Sequence, residues 1–247
     1  MLFLHGALSA AAQFDLPVDG MSWLAHVASQ GRDAWALDLP GHGASRMSSF
    51  DRPAEEGRPL PRAWDTPPAF EAALDLIGRR TVLVGHSWGA TVAALGAMAV
   101  PDRVAALVLI APPYLPDLPN RDVPRGAWRD LPPDAIRRRW DMEIPVADKT
   151  VFRDPAVLEA YLAALADPLG ENTRPPPVLR FPAGPFADFA AIVSGKPTYD
   201  PGALRPPALL VRGGDDPVAV EEDQRRFFYL IGSGDKRYVS MPHGTHF

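Results

Sequence analysis

Thr81-Val82-Leu83-Val84-Gly85-His86-Ser87-Trp88-Gly89-Ala90 is the stretch on which the fold turns. Thr81–Val84 shows no polar alternation and predicts a strand buried on both faces, as in the middle of a parallel sheet. An alanine-rich helix over Ala90–Ala99 follows at once, and Pro101 ends it. Between the two stands Gly85-x-Ser87-x-Gly89. A serine on a sharp strand-to-helix turn must hold strained backbone angles, and the residues two places to either side must lack bulk for the turn to close. Such a turn lifts the hydroxyl clear of the sheet and sets it over a helix N-terminus, whose free N–H groups favour developing negative charge. The pattern by itself arises by chance in about one chain in twelve of this length, at roughly 7% Gly and Ser. The strand before it and the helix after it supply the specificity.

Working outward, the same strand–helix alternation recurs on both sides. Leu2-Phe3-Leu4 reads as a short strand running into His5-Gly6. Ser22 caps a helix with Trp23, Leu24 and Val27 on one face, and Gly31 stops it. Asp33–Leu39 predicts the next strand, which breaks at Pro40-Gly41-His42-Gly43. Residues 45–68 are polar and proline-rich and read as loop; Ala69–Ile77 predicts a helix with Phe70, Ala73, Leu74 and Ile77 inward. Val104–Ile110 is a further buried strand. After a long lapse the rhythm resumes with a strand at Ala208–Arg212, a helix at Val220–Leu230 and a strand at Arg237–Met241. Strands alternating with helices at this spacing mean an α/β domain on a mostly parallel sheet.

The lapse has its own composition. Of 29 prolines, nineteen fall between Pro112 and Pro207. A structureless loop of that length would be improbable, so the segment predicts a mostly helical insertion with one or two short helices. The clearest is Asp154-Pro155-Ala156-Val157-Leu158-Glu159-Ala160-Tyr161-Leu162, with Asp154 at the N-cap and Pro155 at the first helical position. The domain reading is therefore a core of residues 1–111 and 208–247 interrupted by residues 112–207.

Composition sets bounds on chemistry. The chain has 247 residues, 47% of them hydrophobic and 22% charged, the balance of a globular protein with a real core. It has no cysteine, which removes disulfides, thiolate metal sites and cysteine nucleophiles. A net charge of −5 with acids and bases intermixed argues against nucleic acid as partner. No apolar run reaches the ~18 residues of a membrane span, and the first residues lack a signal-like pattern, so the expected location is cytoplasmic. No histidine pair has a metal spacing backed by carboxylates, so neither metal nor cofactor is expected.

A serine nucleophile needs a base, and the base an orienting group. Arg212-Gly213-Gly214-Asp215-Asp216-Pro217 and Met241-Pro242-His243-Gly244-Thr245-His246-Phe247 offer them, each after a predicted strand, where open α/β sheets place their ligands. Two carboxylates and two histidines remain open on this reading. Leu2-Phe3-Leu4-His5-Gly6, Asp38-Leu39-Pro40-Gly41-His42-Gly43-Ala44-Ser45, the turn around Ser87, Gly213-x-x-Asp216 and Pro242–His246 together resemble the α/β-hydrolase fold superfamily, over nearly all of the chain outside the insertion.

The resemblance implies a catalytic triad of Ser87, Asp216 and His246, leaving Asp215 as a turn residue and His243 as a loop residue. It also implies an oxyanion hole made by the backbone N–H groups of Ala7 and Trp88, and a lid function for the insertion. Trp128, Trp140, Phe152, Tyr161, Phe181, Phe186 and Phe189 are candidates to wall an acyl pocket or to pack the lid on the sheet. His5, His42 and Asp38 read as scaffold, His86 as packing, His26 as exposed, and Arg137-Arg138-Arg139 as a solvated surface. Family members normally carry two strands before the His-Gly strand and a helix after the catalytic histidine, so the first strands and last helix are expected to be missing here, leaving Ala7 and His246 on weakly held ends.

The expected activity is that of a serine hydrolase on a small acyl substrate, a carboxylic ester first, with oligomeric state open. Amide, lactone, thioester and carbon–carbon bond cleavage use the same parts. Gly-x-Ser-Trp-Gly also resembles the proline-iminopeptidase branch, although no acidic group is identifiable for a substrate amine. A non-catalytic ligand-binding protein on the same fold is the rival of a different class.

Overall fold

The structure, a computed structural model, describes residues 1–45, 47–166 and 178–247. Arg46, in the stretch read as loop, and residues 167–177 of the segment read as a lid lie outside it. Its elements follow the chain as β1 (Leu2–Leu4), α1 (Trp23–Ser29), β2 (Trp35–Leu37), α2 (Pro67–Ile77), β3 (Thr81–His86), α3 (Trp88–Ala99) and β4 (Val104–Ile110). There follow β5 (Trp128–Leu131), α4 (Pro133–Glu143), α5 (Pro155–Ala166), β6 (Leu179–Pro182) and α6 (Gly184–Val193). The chain closes with β7 (Ala208–Gly213), α7 (Glu221–Leu230) and β8 (Lys236–Met241). Among the described residues six strands form one parallel sheet in the order β2-β1-β3-β4-β7-β8.

Local sequence explains the elements. The Ser22 hydroxyl accepts the Ala25 N–H at 2.9 Å and starts α1. Gly78, at φ 70°, closes α2 in the left-handed region that favours glycine. α3 has an apolar surface nearly all round, and nine of its residues are buried, as a helix packed against the centre of the sheet requires. Phe70 and Leu74, four residues apart on α2, are fully buried, and the Phe70 ring fits against α3 at Gly96, where a Cβ would meet it at 2.7 Å. Each such side chain contributes roughly 1.5–3 kcal/mol of burial.

The segment between β4 and β7 holds more structure than its composition indicated. Three helices rather than one or two run through it, and β5 pairs with β6 in antiparallel register, Trp128 opposite Pro182 and Leu131 opposite Leu179. A four-residue strand with two charged residues, Trp128-Arg129-Asp130-Leu131, has no periodicity to read, so only the pairing reveals it. α5 starts as expected, with Asp154 accepting the Ala156 N–H at 2.8 Å. Its Leu158, Tyr161 and Leu162 join Trp140, Phe181 and Leu8 in a core separate from the one around the sheet. The Asp33–Leu39 strand contracts to Trp35–Leu37, and residues 45–68 carry three short 3-10 turns. No described helix is long and apolar enough to cross a membrane.

Candidate active site

Parallel pairing points the C-terminal ends of β1, β3, β7 and β8 the same way, so the loops after them meet at one edge of the sheet. Ser87 stands between β3 and α3 at φ 54° and ψ −120°, a strained conformation for a residue with a side chain. Its flanking glycines are required by contact. A Cβ on Gly85 would meet the Gly89 carbonyl oxygen at 2.4 Å, and one on Gly89 would meet the Leu4 and His5 carbonyl oxygens at 2.2 and 2.5 Å.

Ser87 Oγ lies 2.8 Å from His246 Nε2, and His246 Nδ1 lies 2.9 Å from Asp216 Oδ2. The second oxygen of Asp216 accepts the backbone N–H groups of Val218 and Ala219 at 2.7 and 2.9 Å. Burial pushes this carboxyl up, but the His246 ring and the two N–H groups together outweigh burial and hold it below the ordinary carboxylate range. An ionised Asp216 fixes the Nδ1–H tautomer, which leaves Nε2 free to accept from the serine. The alternatives lie elsewhere: His243 is 65% exposed and pairs with the half-exposed Asp215 at 3.5 Å.

The loop carrying His246 is firmly held, contrary to the frayed end expected from the sequence. Its N–H donates to Glu143 Oε2 of α4 at 3.0 Å, and its carbonyl accepts from His86 Nε2 at 2.8 Å. Phe247 packs edge-on against Trp140 and beneath the Arg139 guanidinium. Glu143 is buried, and desolvation raises its pKa.

A second buried carboxylate from the same segment reaches the nucleophile turn. Asp188 of α6 accepts the Trp88 indole N–H at 2.8 Å, Arg62 Nε at 2.6 Å and the Ala63 N–H at 2.8 Å. Neither carboxylate belongs to a motif. Asp188 did leave a trace, as the one charge in the apolar run Phe181–Val193, where a buried ionisable group needs partners.

The histidines read as scaffold and packing form a neutral cluster under the site. His5 donates from Nδ1 to the Gly6 carbonyl at 2.8 Å and accepts the Leu39 N–H on Nε2 at 3.1 Å. His86 donates to the His246 carbonyl and accepts from the Gln13 side chain at 3.5 Å. His42 faces the Pro40 and Ala7 carbonyls at 3.3 Å and lies 4.7 Å, ring to ring, from His5. Burial lowers all three, His42 and His86 to about 4 and His5 well below the ordinary imidazole range. Asp38 braces the loops around them, accepting the N–H groups of Ala11 and Ala44. His26 is exposed.

A cavity of about 780 Å³ opens over Ser87 and His246, and Ala7 and Trp88 line it as well. Among the described residues no hydrogen bond takes up the Ala7 N–H. Trp128, Phe186 and Phe189 face the cavity, whereas Trp140, Tyr161 and Phe181 pack the separate core and Phe152 is half exposed. Arg139 is also in the cavity wall, so the arginine triplet is not all solvated surface; Arg137 pairs with Glu159 and Arg138 is exposed. No group of three or more His, Asp or Glu among the described residues is placed to hold a metal ion.

The model of a family described as "Alpha/beta hydrolase family" matches residues 1–247. A search of curated proteins finds no match. Among solved structures, the chain is similar to a monoacylglycerol lipase of Paleococcus ferrophilus, with a TM-score of 0.62 and 16% identity over 100% of this chain and 85% of that one. A thioesterase domain from the curacin biosynthetic pathway gives 0.65 and 18%, over 99% and 84% of the two chains. A thermophilic esterase from Thermogutta terrifontis gives 0.62 and 20%, over 99% and 81%. At such identities the structural likeness speaks for the fold.

Proposed function

The chain belongs to the α/β-hydrolase family, and from that premise we propose that it is a serine hydrolase cleaving a small acyl substrate, a carboxylic ester first, through an acyl-enzyme on Ser87. The observation that carries the reading is the unbroken line of contacts from Ser87 Oγ to His246 at 2.8 Å and on to Asp216 at 2.9 Å, with the serine in strained backbone. His246 Nε2 takes the serine proton as Oγ attacks the carbonyl carbon. The oxyanion of the tetrahedral intermediate accepts from the N–H groups of Ala7 and Trp88, each such donor worth roughly 10²–10³ in rate. The imidazolium, stabilised by the Asp216 carboxylate, returns the proton to the leaving alkoxide. Water, deprotonated by the same ring, then releases the acid. Residues 112–207 act as the lid, roofing the cavity from α4 and α6.

Cleavage at a free N-terminal residue is the less supported alternative, because it needs a carboxylate free for the substrate amine. Asp188, the buried carboxylate in the cavity wall, already serves Arg62, Trp88 and Ala63, and the other carboxylate of that wall, Asp122, stands among Arg121, Arg125 and Arg129. A binding protein without turnover would not need the serine activated. The test is labelling with a fluorophosphonate, read by intact mass and peptide mapping beside Ser87→Ala. Stoichiometric modification at Ser87 is expected. A folded chain that stays unlabelled while the imidazole is neutral would overturn the hydrolase reading.

A further inference from the structure

The cavity wall carries charge that the hydrolytic chemistry does not use. Arg121, Arg125, Arg129 and Arg139 all line it, against two carboxylates, Asp122 and Asp188. Asp188 is neutralised from behind by Arg62 at 2.6 Å, and Arg139 shares the charge of Glu143 at 3.5 Å. That leaves three guanidinium groups against Asp122. None of the three forms an ion pair with a described carboxylate. The chain as a whole has a net charge of −5, so a positive wall around the serine is not a by-product of composition.

Two of these groups are also held in place. The Arg121 guanidinium sits 5.5 Å over the Phe189 ring, and Arg129 sits 4.6 Å over Phe186. Both rings belong to the wall of the same cavity. Stacking on a ring restrains a guanidinium while leaving its edge N–H donors free. A concave site lined by one sign of charge concentrates ligands of the other, and the planar fork of arginine matches a carboxylate or phosphate.

We propose that the substrate hydrolysed at Ser87 carries an anionic group, carboxylate or phosphate, which Arg121, Arg125 and Arg129 hold at the cavity wall while its ester carbonyl meets the serine. The inference deepens the serine-hydrolase reading and rests on it for the attack, but the anion site itself is separable from turnover.

The experiment uses matched pairs of esters. Mono-p-nitrophenyl suberate against its methyl ester places the charge on the acyl side. Butyrate esters of 4-hydroxybenzoate and of 4-hydroxyphenyl phosphate, against that of 4-hydroxybenzamide, place a carboxylate or a phosphate on the leaving side. After correction for alkaline hydrolysis, at least one anionic member is expected to exceed its neutral partner about ten-fold in kcat/KM, the scale of one charge-assisted contact. That ratio falls as ionic strength rises, and it falls toward one in Arg121→Gln/Arg125→Gln/Arg129→Gln, whose urea midpoint shows whether the chain is folded. Titration of Ser87→Ala with suberate, against 1,8-octanediol, reads the anion site without turnover. Ratios at or below one in every pair, with Ser87 labelled and no suberate binding, overturn the anion site and leave the hydrolase standing. Suberate binding that depends on the arginines, in a chain that neither labels nor turns over, removes the hydrolase reading and keeps the anion site. Suberate binding or a rate preference unchanged in the triple variant also overturns the assignment.

Discussion

Acidification between pH 6.5 and 4 is expected to destabilise this protein strongly, because the buried His5 and His42 and the half-buried His86 are held as neutral rings. In His5 and His86 one ring nitrogen donates to a carbonyl and the other accepts from an N–H. A second proton would turn the accepting nitrogen into a donor aimed at a donor. Burial lowers His42 and His86 to about 4 from the ordinary 6.5. The unfolded chain therefore binds more protons than the folded one between pH 6.5 and 4, and stability falls as the pH drops through that window. A gap of about 2.5 pH units, at about 1.4 kcal/mol per unit, gives about 3.5 kcal/mol for each of the two rings. His5, also lowered by burial, adds to the loss. Glu143 and Asp188, both raised by burial, oppose it, since each becomes cheaper to bury as it takes up a proton. The net loss of about 3–6 kcal/mol is comparable with the whole stability of a domain. Urea unfolding followed by tryptophan fluorescence at pH 7.0, 6.0, 5.0 and 4.5 measures it. Asp216, held below its ordinary range, adds acid lability only under that window, as the pH falls below about 4. In His42→Gln/His86→Gln the slope between pH 6 and 4.5 should fall by at least half. An unfolding free energy flat to within about 1 kcal/mol over this range, or a slope unchanged in the double variant, would falsify the neutral-cluster argument.

The two buried carboxylates of the middle segment give separate predictions. Glu143→Ala removes the acceptor of the His246 N–H and should lower kcat about ten-fold with KM little changed, the size of one hydrogen bond to a charged group; Glu143→Gln keeps an acceptor oxygen and should recover most of the rate. Equal losses in the two variants would mean that the charge of Glu143, not its hydrogen bond, is what the site uses. Asp188→Ala leaves Arg62 unpaired and three donors without their acceptor, and should destabilise by about 3–5 kcal/mol in urea unfolding, with Asp188→Asn losing less; a loss under about 1 kcal/mol would mean that solvent already shares this site.

Much of this was legible in the sequence because it is local. The strand–turn–helix around Ser87, the cap at Ser22 and the α5 start at Asp154–Pro155 are each written within a dozen residues, and each stands where its pattern put it. Choosing Asp216 over Asp215 and His246 over His243 took family spacing, since adjacent candidates share one composition. What stayed hidden was long-range. Glu143 and His246 are 103 residues apart, and Trp88 and Asp188 are 100 apart. A pairing across such a distance leaves no periodicity in one chain. The paired strands β5 and β6 escaped for the same reason, being four residues each and partly charged. Read as a surface run, Arg137-Arg138-Arg139 was separated only by helix geometry, which turns the third arginine toward the cavity and the first toward Glu159.

These long-range contacts bear on how a substrate could reach Ser87. A lid that swung away as a rigid body would have to break the Glu143–His246 contact, the three bonds to Asp188, and the 2.6 Å bond from the Tyr161 hydroxyl to the Leu8 carbonyl. Bonds to charged groups contribute about 1.5–3 kcal/mol each, and stranding a buried ion costs more. The sum would rival the stability of the domain, so full opening amounts to local unfolding rather than gating. Such motion would also release the loops that hold His246 and Trp88, disassembling the site as it exposed it. On this argument access runs through the cavity as it stands, whose wall includes the exposed Arg121, Arg125 and Arg129. With α4 and α6 fixed, the three arginines of the proposed anion site would stay against a ligand from entry to attack, so that selection by charge would act on binding and on turnover through one set of contacts.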